Sequence, residues 1–339
     1  MSTVNHRILL VSRPQAEATP DNFRLEAAPL PDVGPGAVLV RHHYLSLDPY
    51  MRGRMSEAKS YAAPQQLGET MLGGTAGEVV ASRNPAFAVG DTVVGNGGWQ
   101  EYALVAGAAL AGLLKVDTRN VPLSAYLGPV GMPGITAWFG LSKILEPRPG
   151  ETVVVSAASG AVGSVVGQLA RLRGCRAVGI AGGTEKCDYV VHELGFDACI
   201  DYKAAPNERA LDERLAVAAP KGVDACFENV GGRIFDAVLG RMNAFGRVAL
   251  CGMIAGYDGA PVPISNSTVI LRSRLKVQGF IVFDQPATVP WALAELGALV
   301  ASGRLRYRET VAAGLDAAPE AFLGLLKGRN LGKQLVKLI

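Results

Sequence analysis

The rhythm of apolar and polar positions changes twice along this chain. Over the first third, apolar residues come in short β-prone runs at 8–12, 23–26, 37–45, 77–82, 92–94 and 102–105. Turn signals divide the runs: Pro31-Asp32, Gly34-Pro35-Gly36 and Gly90-Asp91. Short strands punctuated in this way predict a compact barrel. Helical spacing begins near Leu123, and 135–145 predicts a helix ended by Pro147. From Gly150 onward, strand-like runs at 152–157, 175–181, 197–201, 223–228, 246–251 and 275–282 alternate with helical segments. The exception is a loop-like stretch at about 253–273, between the last two runs. Six strands in this alternation predict a doubly wound parallel sheet. The tail changes character again, with a helix at 291–302, a strand near 305–311, a helix at 319–328 and a strand at 334–339. The expected division is a β-domain over 1–125, completed by 300–339, and an α/β domain over 126–299.

Bulk properties narrow the field without naming a function. A chain of 339 residues can bury two cores. A net charge of +3, with no basic cluster interleaved with aromatics, argues against nucleic acid as a partner. Two long uncharged stretches, 121–142 and 152–170, raise the question of membrane spans. Prolines at 122, 129 and 133 interrupt the first and a glycine turn interrupts the second, so both read as buried core. The apolar block at 8–11 is too short for a signal peptide, and a soluble cytoplasmic protein is expected. The five cysteines (Cys175, Cys187, Cys199, Cys226 and Cys251) are odd in number, lack a C-x-x-C and fall mostly in predicted strands. They read as buried reduced thiols. No His/Cys spacing resembles a zinc site, and no metal is expected; adjacent His42 and His43 point to opposite faces of one strand.

The segment carrying the most chemistry is Glu151-Thr-Val-Val-Val-Ser-Ala-Ala-Ser-Gly-Ala-Val-Gly-Ser-Val-Val-Gly. A β-branched run stops at small residues, then Gly160 and Gly163 precede a helical pattern. Strand, tight turn and helix in that order present backbone N–H groups and a partial positive charge, which suits a pyrophosphate. The match to G-x-G-x-x-G is partial, because Ala158 holds the first position. In a chain with 41 glycines a lone glycine pattern is weak, and the alternative is a packed strand–helix junction without a ligand. The strand before it and the helix after it favour the dinucleotide. The next strand ends in Gly182-Gly183-Thr184, where an NAD site would usually carry an acid. Small residues there leave room for a 2′-phosphate and Lys186 offers it charge, with Glu185 facing solvent, so NADP(H) is favoured over NAD(H). An ordinary solvated lysine at a helix start is the competing reading.

Longer motifs add a family resemblance. Ala157-Ala-Ser-Gly-Ala-Val-Gly-Ser-Val-Val-Gly-Gln168, Glu228-Asn-Val-Gly-Gly232, Phe245-Gly-Arg-Val-Ala-Leu-Cys-Gly252 and Leu326-Lys-Gly-Arg-Asn-Leu-Gly-Lys333 resemble the zinc-independent medium-chain dehydrogenases/reductases. Ser46-Leu-Asp-Pro-Tyr-Met-Arg52 and Gly131-Met-Pro-Gly-Ile-Thr-Ala137 resemble its prostaglandin reductase, leukotriene dehydrogenase and alkenal double-bond reductase branch. The resemblance runs over nearly the whole chain. It implies a GroES-like β-barrel plus a Rossmann domain, with the active site in the cleft between them. It also implies NADPH-dependent reduction of the C=C bond of α,β-unsaturated ketones and aldehydes, and commonly a homodimer.

Candidate residues follow from both readings. Ligands of open α/β sheets bind beyond the carboxyl ends of the strands. Gly160, Ala161, Val162 and Gly163 follow the first strand of the sheet, Lys186 the second and Tyr202 the third. Asn229 ends the fourth, Cys251 and Gly252 the fifth, and Phe280, Ile281 and Val282 the sixth. By resemblance, Tyr202 contacts the 2′-phosphate, the fourth- to sixth-strand residues lie near ribose and nicotinamide, and Asn330 is a further cofactor contact. Tyr257 is the catalytic candidate, because a phenol can donate a hydrogen bond to the carbonyl oxygen that gains charge when hydride reaches the β-carbon. Either Tyr257 or water supplies the α-proton. Tyr50 lines the substrate site by resemblance, or packs a proline turn. Thr136 reads either as a neighbour of the nicotinamide or as an ordinary helix-start threonine. Trp99 reads as a pocket wall or, in preference, as barrel core, and Phe283 stands where some relatives carry tyrosine. Two competing functions remain: a quinone reductase of the same superfamily, and a non-enzymatic NADPH-binding sensor.

Overall fold

The computed structural model describes residues 4–259 and 262–339. In chain order the strands are β1 (Val4–Leu10), β2 (Phe23–Pro29), β3 (Val38–Ser46), β4 (Thr75–Ser82), β5 (Thr92–Gly95), β6 (Tyr102–Val105), β7 (Leu114–Lys115), β8 (Thr152–Ser156), β9 (Arg176–Ala181), β10 (Ala198–Asp201), β11 (Val223–Glu228), β12 (Met242–Leu250), β13 (Lys276–Gly279), β14 (Glu309–Ala313) and β15 (Lys333–Lys337). The α-helices are α1 (Tyr50–Arg54), α2 (Met132–Phe139), α3 (Gly163–Leu172), α4 (Thr184–Asp188), α5 (Glu208–Ala218), α6 (Gly232–Gly240), α7 (Thr268–Arg272), α8 (Val289–Ala301) and α9 (Ala318–Leu326). Two compact units result. One comprises Met1–Leu127, Glu309–Asn330 and Gln334–Ile339; the other comprises Gly128–Arg308 and Leu331–Lys333.

The first unit is the GroES-like one. Its antiparallel sheet runs β14-β15-β3-β4-β5-β7, with β6 also paired to β3, and β1 and β2 form a separate ribbon. Isolated bridges Arg7↔Gln100 and Leu9↔Thr70 tie that ribbon to neighbouring segments. Its main core gathers Ile8, Leu10, Phe23, Leu45, Met51, Met55, Trp99 and Phe322. Trp99 stacks on Phe23 at 5.3 Å and meets Phe322 edge-on at 5.6 Å, so it is core as expected. His42 is buried within β3, and its Nδ1 donates to the Gln100 carbonyl at 2.7 Å. His43 is half-buried next to it.

The second unit is a Rossmann sheet of six parallel strands in the order β10-β9-β8-β11-β12-β13. All of β8 is buried, because both faces of the sheet are covered. Val153 and Val155 face one core with Val165, Val166 and Leu169 of α3 and Leu296 of α8. Val154 faces the other, with Leu211 and Leu215 of α5 and Phe235 and Val238 of α6.

Several boundaries differ from the sequence reading, each for a local reason. The helix expected at 135–145 begins at Met132, with Pro133 in its first turn, and widens into a π-turn over Gly140–Leu145. Glu146 then takes a φ of 41° ahead of Pro147. β12 starts four residues before the expected 246, and Phe245 within it has a φ of 64°. β13 stops at Gly279 because the Phe280 ring turns into the core, 5.5 Å from Phe139 and 6.0 Å from Phe227. The strand expected near 305–311 forms only from Glu309; Leu305 is buried, closing α8 with a backbone bond to Leu299. The stretch 253–273 holds a 3-10 turn at Ile254–Gly256 and α7. The cysteines also depart from expectation. Cys175 and Cys226 are buried, but Cys187, Cys199 and Cys251 are partly exposed: Cys187 lies on α4, Cys199 on the edge strand β10 and Cys251 just past the end of β12.

Candidate active site

The strand order reverses between β8 and β11, and the candidate residues of this unit follow the carboxyl ends of β8 to β13. After Ser156 the chain turns sharply at Ala157, whose φ is 49°. An ideal Cβ on Gly160 would have only the Ala157 carbonyl oxygen within 4 Å, at 3.2 Å, so its backbone stands open to a ligand. Gly163 has a different reason to lack a side chain: its Cβ would lie 2.4 Å from the same carbonyl. Ala161 and Val162 complete the corner, and α3 starts at Gly163. The backbone N–H of Gly332 donates to the Ser159 carbonyl at 3.0 Å and fixes the outer side of this corner.

At the end of β9, Gly182 is covered by two residues from the end of β10. Its Cβ would lie 2.9 Å from the Tyr202 ring and 3.0 Å from Lys203 Cε. Lys186 projects from α4 into the same neighbourhood. Its pKa is lowered by partial burial and then by the charge of Lys203, against the opposing pull of Glu185. Two ammonium groups that repel one another favour an anion between them. Glu185 is exposed, as expected. The nearby acid, Asp201, is already engaged: Oδ1 accepts from the backbone N–H of Gly183 at 2.8 Å and of Lys203 at 2.9 Å. Arg233 lies over the Tyr202 ring, 5.8 Å from its centroid, and donates to the Tyr202 carbonyl.

The third group lies beyond β11 and β12. Asn229 donates its amide N–H to the Ser156 carbonyl at 2.8 Å, and its backbone N–H to Ser156 Oγ at 2.8 Å. Glu228, fully buried, accepts from the backbone N–H groups of Val230 and Gly231, both at 2.6 Å. Burial pushes its pKa up, and the backbone amides and the Ser156 hydroxyl pull the other way. The 253–257 turn is tied to this corner by backbone bonds from Ile254 to Asn229 and from Ala255 to Val230. That turn folds the half-buried Tyr257 back until its hydroxyl lies 3.4 Å from the Cβ position of Gly252, where the Asn229 carbonyl is equally close. Tyr257, Gly252 and Asn229 therefore share one corner. Burial pushes the neighbouring Cys251 thiol up to about 12, so it stays protonated.

The remaining candidates stand differently. Because the Phe280 ring is in the core, that residue has only its backbone to offer a ligand. Ile281 accepts no such constraint and is partly exposed, as is Val282. Thr136 donates its hydroxyl to the Met132 carbonyl at 2.7 Å. Phe283 is exposed. Tyr50 and Asn330 belong to the first unit. Tyr50 opens α1 directly after Pro49; burial, then Asp48, raise its pKa, so it remains a neutral phenol. Asn330 is buried.

Sequence reasoning missed Lys203, Asp201, Ser156 and Glu228. Lys203 and Asp201 flank Tyr202 and could have been read with it. A glutamate closing the apolar run Val223–Glu228, ahead of Gly231-Gly232, was a visible sign of a buried carboxylate bonded to a glycine turn.

Comparison with known proteins places the chain in a family. Residues 6–113 match the family described as the N-terminal domain of oxidoreductase, and residues 161–298 match the zinc-binding dehydrogenase family. The NADPH-dependent curcumin reductase of Escherichia coli is 43% identical over 98% of this chain and 97% of its own length. The 2-alkenal reductase (NADP(+)-dependent) of Nicotiana tabacum is 42% identical over 89% of this chain and 88% of its own. These matches settle the family. The chain belongs to the zinc-independent medium-chain dehydrogenases/reductases. The solved structure of CurA from Vibrio vulnificus in complex with NADPH superposes on this medium-chain reductase with a TM-score of 0.92, at 44% identity, over 98% of this chain and 99% of that one. Despite the second family's description, the residues do not fit a zinc ion. No cysteine precedes Cys175, and among the described residues no group of three or more His, Cys, Asp or Glu could hold a metal. Among the described residues no helix is long and apolar enough to cross a membrane.

Proposed function

We propose that this protein is an NADPH-dependent oxidoreductase that reduces the carbon–carbon double bond of α,β-unsaturated ketones and aldehydes. The observation that carries the reading is the Tyr257 hydroxyl, held over Gly252 beside Asn229 at the carboxyl edge of the Rossmann sheet. The names of the curcumin and 2-alkenal reductases, both of which share most of their length with this chain, support it.

The residues present fit the dinucleotide. The open backbone of Gly160 to Gly163 at the start of α3 suits a pyrophosphate, and Lys186, Tyr202 and Lys203 suit a 2′-phosphate. Asn229, Cys251 and Gly252, the backbone at 280–282 and Asn330 complete the assignment toward ribose and nicotinamide. When bound, NADPH supplies a hydride to the β-carbon of the substrate. The chain's own part is electrostatic. As charge moves onto the carbonyl oxygen, the Tyr257 phenol donates a hydrogen bond to it. The buried Glu228 holds the Val230–Gly231 turn, and through it the segment on which Tyr257 is carried. Tyr50 is assigned to the substrate. The reading includes a homodimer paired through β13, the edge strand of the sheet, and a cytoplasmic location.

The test is a panel of 2-alkenals, enones and quinones, with oxidation followed by the near-ultraviolet absorbance of the reduced nicotinamide. Turnover of enones and alkenals with a saturated product is expected. Turnover of quinones alone would favour a quinone reductase, and NADPH binding without any turnover would favour a sensor.

A further inference from the structure

Two cysteines outside the proposed reaction stand in contact. Cys199 Sγ donates to Cys187 Sγ at 2.8 Å, and both residues are partly exposed. Cys187 lies on α4, immediately after Lys186, and Cys199 lies on β10, two residues before Asp201. The thiols thus join the two elements that carry Lys186 on one side and Tyr202 and Lys203 on the other. Cys199 is wedged over β9, where its Sγ lies 3.4 Å from the Cβ position of Gly179. Closing 2.8 Å to the about 2.05 Å of a disulfide needs a movement of about 0.75 Å.

We propose that Cys187 and Cys199 form an oxidisable dithiol, which a hydroperoxide closes to an intrachain disulfide that draws α4 toward β10 and narrows the 2′-phosphate cradle. The effect on the cradle rests on the NADPH reading; formation of the bond does not. The chemistry divides between the two thiols. The hydrogen bond from Cys199 favours the thiolate of Cys187 and holds the proton on Cys199. The Cys187 thiolate attacks the terminal peroxide oxygen, breaking the O–O bond; it becomes a sulfenic acid, and water or an alcohol leaves. Cys199 then attacks the sulfenic sulfur and water leaves, so two thiols are oxidised as one peroxide is reduced. The remaining cysteines are poor competitors, because burial raises the pKa of Cys175, Cys226 and Cys251. The cradle responds because Lys186 and Cys187 are adjacent on the five-residue α4, so a shift of Cys187 toward β10 displaces Lys186 relative to Tyr202 and Lys203.

The full chain is treated with limiting hydrogen peroxide, digested without reduction and mapped by mass spectrometry. NADPH and NADH affinities are measured by calorimetry before oxidation, after it, and after dithiothreitol. A Cys187–Cys199 bridge is expected, with NADPH affinity falling roughly fivefold, NADH affinity unchanged and full recovery on reduction. Cys199→Ser should keep its basal activity and stop at the sulfenic acid on Cys187; Cys187→Ser should resist the same dose. Oxidation of other cysteines first, or over-oxidation of Cys187 in the unsubstituted protein without a bridge, would overturn the pair. A bridge with NADPH affinity unchanged, or with equal losses for both nucleotides, would overturn its control of the cradle. Failure of the reduced protein to bind NADPH would strike the functional reading and leave the mapped bridge standing.

Discussion

Acidification should destabilise the first unit through one buried imidazole. His42 Nδ1 donates to the Gln100 carbonyl, so the neutral ring keeps its lone pair on Nε2, which faces the backbone of Gly97 and the Thr75 hydroxyl. A Cβ on Gly97 would lie 2.3 Å from Nε2, so the ring packs tightly on the Gly97 backbone. Burial, and then the neighbouring His43, lower the pKa of His42 from 6.5 to about 4, and the Gln100 bond only partly opposes them. An unfolded chain takes up this proton near pH 6.5 and the folded one near 4. Between those values the unfolded state binds more protons, and stability falls as pH falls. From about pH 7 to about pH 4.5 the loss amounts to about 2.4 kcal/mol, at ~1.36 kcal/mol per pKa unit. His42→Asn keeps a donor for the Gln100 carbonyl and removes the titrating group. Hydrogen exchange of the β3 and β4 amides, which reads the first unit alone, is measured across this range in both proteins. The variant's protection should decline less, by about that amount. Parallel pH profiles would refute the argument, as would an imidazole proton signal of His42 that titrates at the ordinary value.

Tyr257→Phe should lower turnover roughly 10- to 100-fold while leaving the NADPH dissociation constant unchanged; retained turnover in steady-state assays would remove Tyr257 from its role. Lys186→Ala should weaken NADPH by roughly tenfold, the worth of one charge-assisted bond, with NADH unaffected. Equal losses in calorimetry would rule out a 2′-phosphate contact. Gly167→Ala places a Cβ 1.8 Å from Phe196 Cζ, in a buried contact between α3 and the chain after it. It should destabilise the Rossmann unit by about 1–3 kcal/mol, read by denaturant unfolding, despite the better helix propensity of alanine.

Much of the site was legible because its signals are local. The β-branched run before Gly160, the small residues at Gly182-Gly183 and the lysine after them are neighbours in sequence, and their spacing carries their geometry. Signals that depend on distant partners were not legible. Nothing near Glu228 announces that Ser156 would meet it, and nothing near Cys187 announces Cys199, which arrives from the next strand of the sheet. The end of β13 was misjudged for the same reason: Phe280 leaves the strand to join Phe139 and Phe227, from other elements.

The sequence by itself determined the alternation of strands and helices, the glycine corner at 160–163 and the small residues Gly182-Gly183 in place of an acid at the end of β9. These follow from side-chain size, branching and backbone freedom over a few residues. Tertiary structure alone decided which titratable groups would be stripped of water and what they would face. Strand order set Ser156 against Asn229, β10 against α4, and His42 against Gly97. Proton affinity and thiol reactivity depend on neighbours brought together by packing, and such neighbours lie tens of residues apart along the chain.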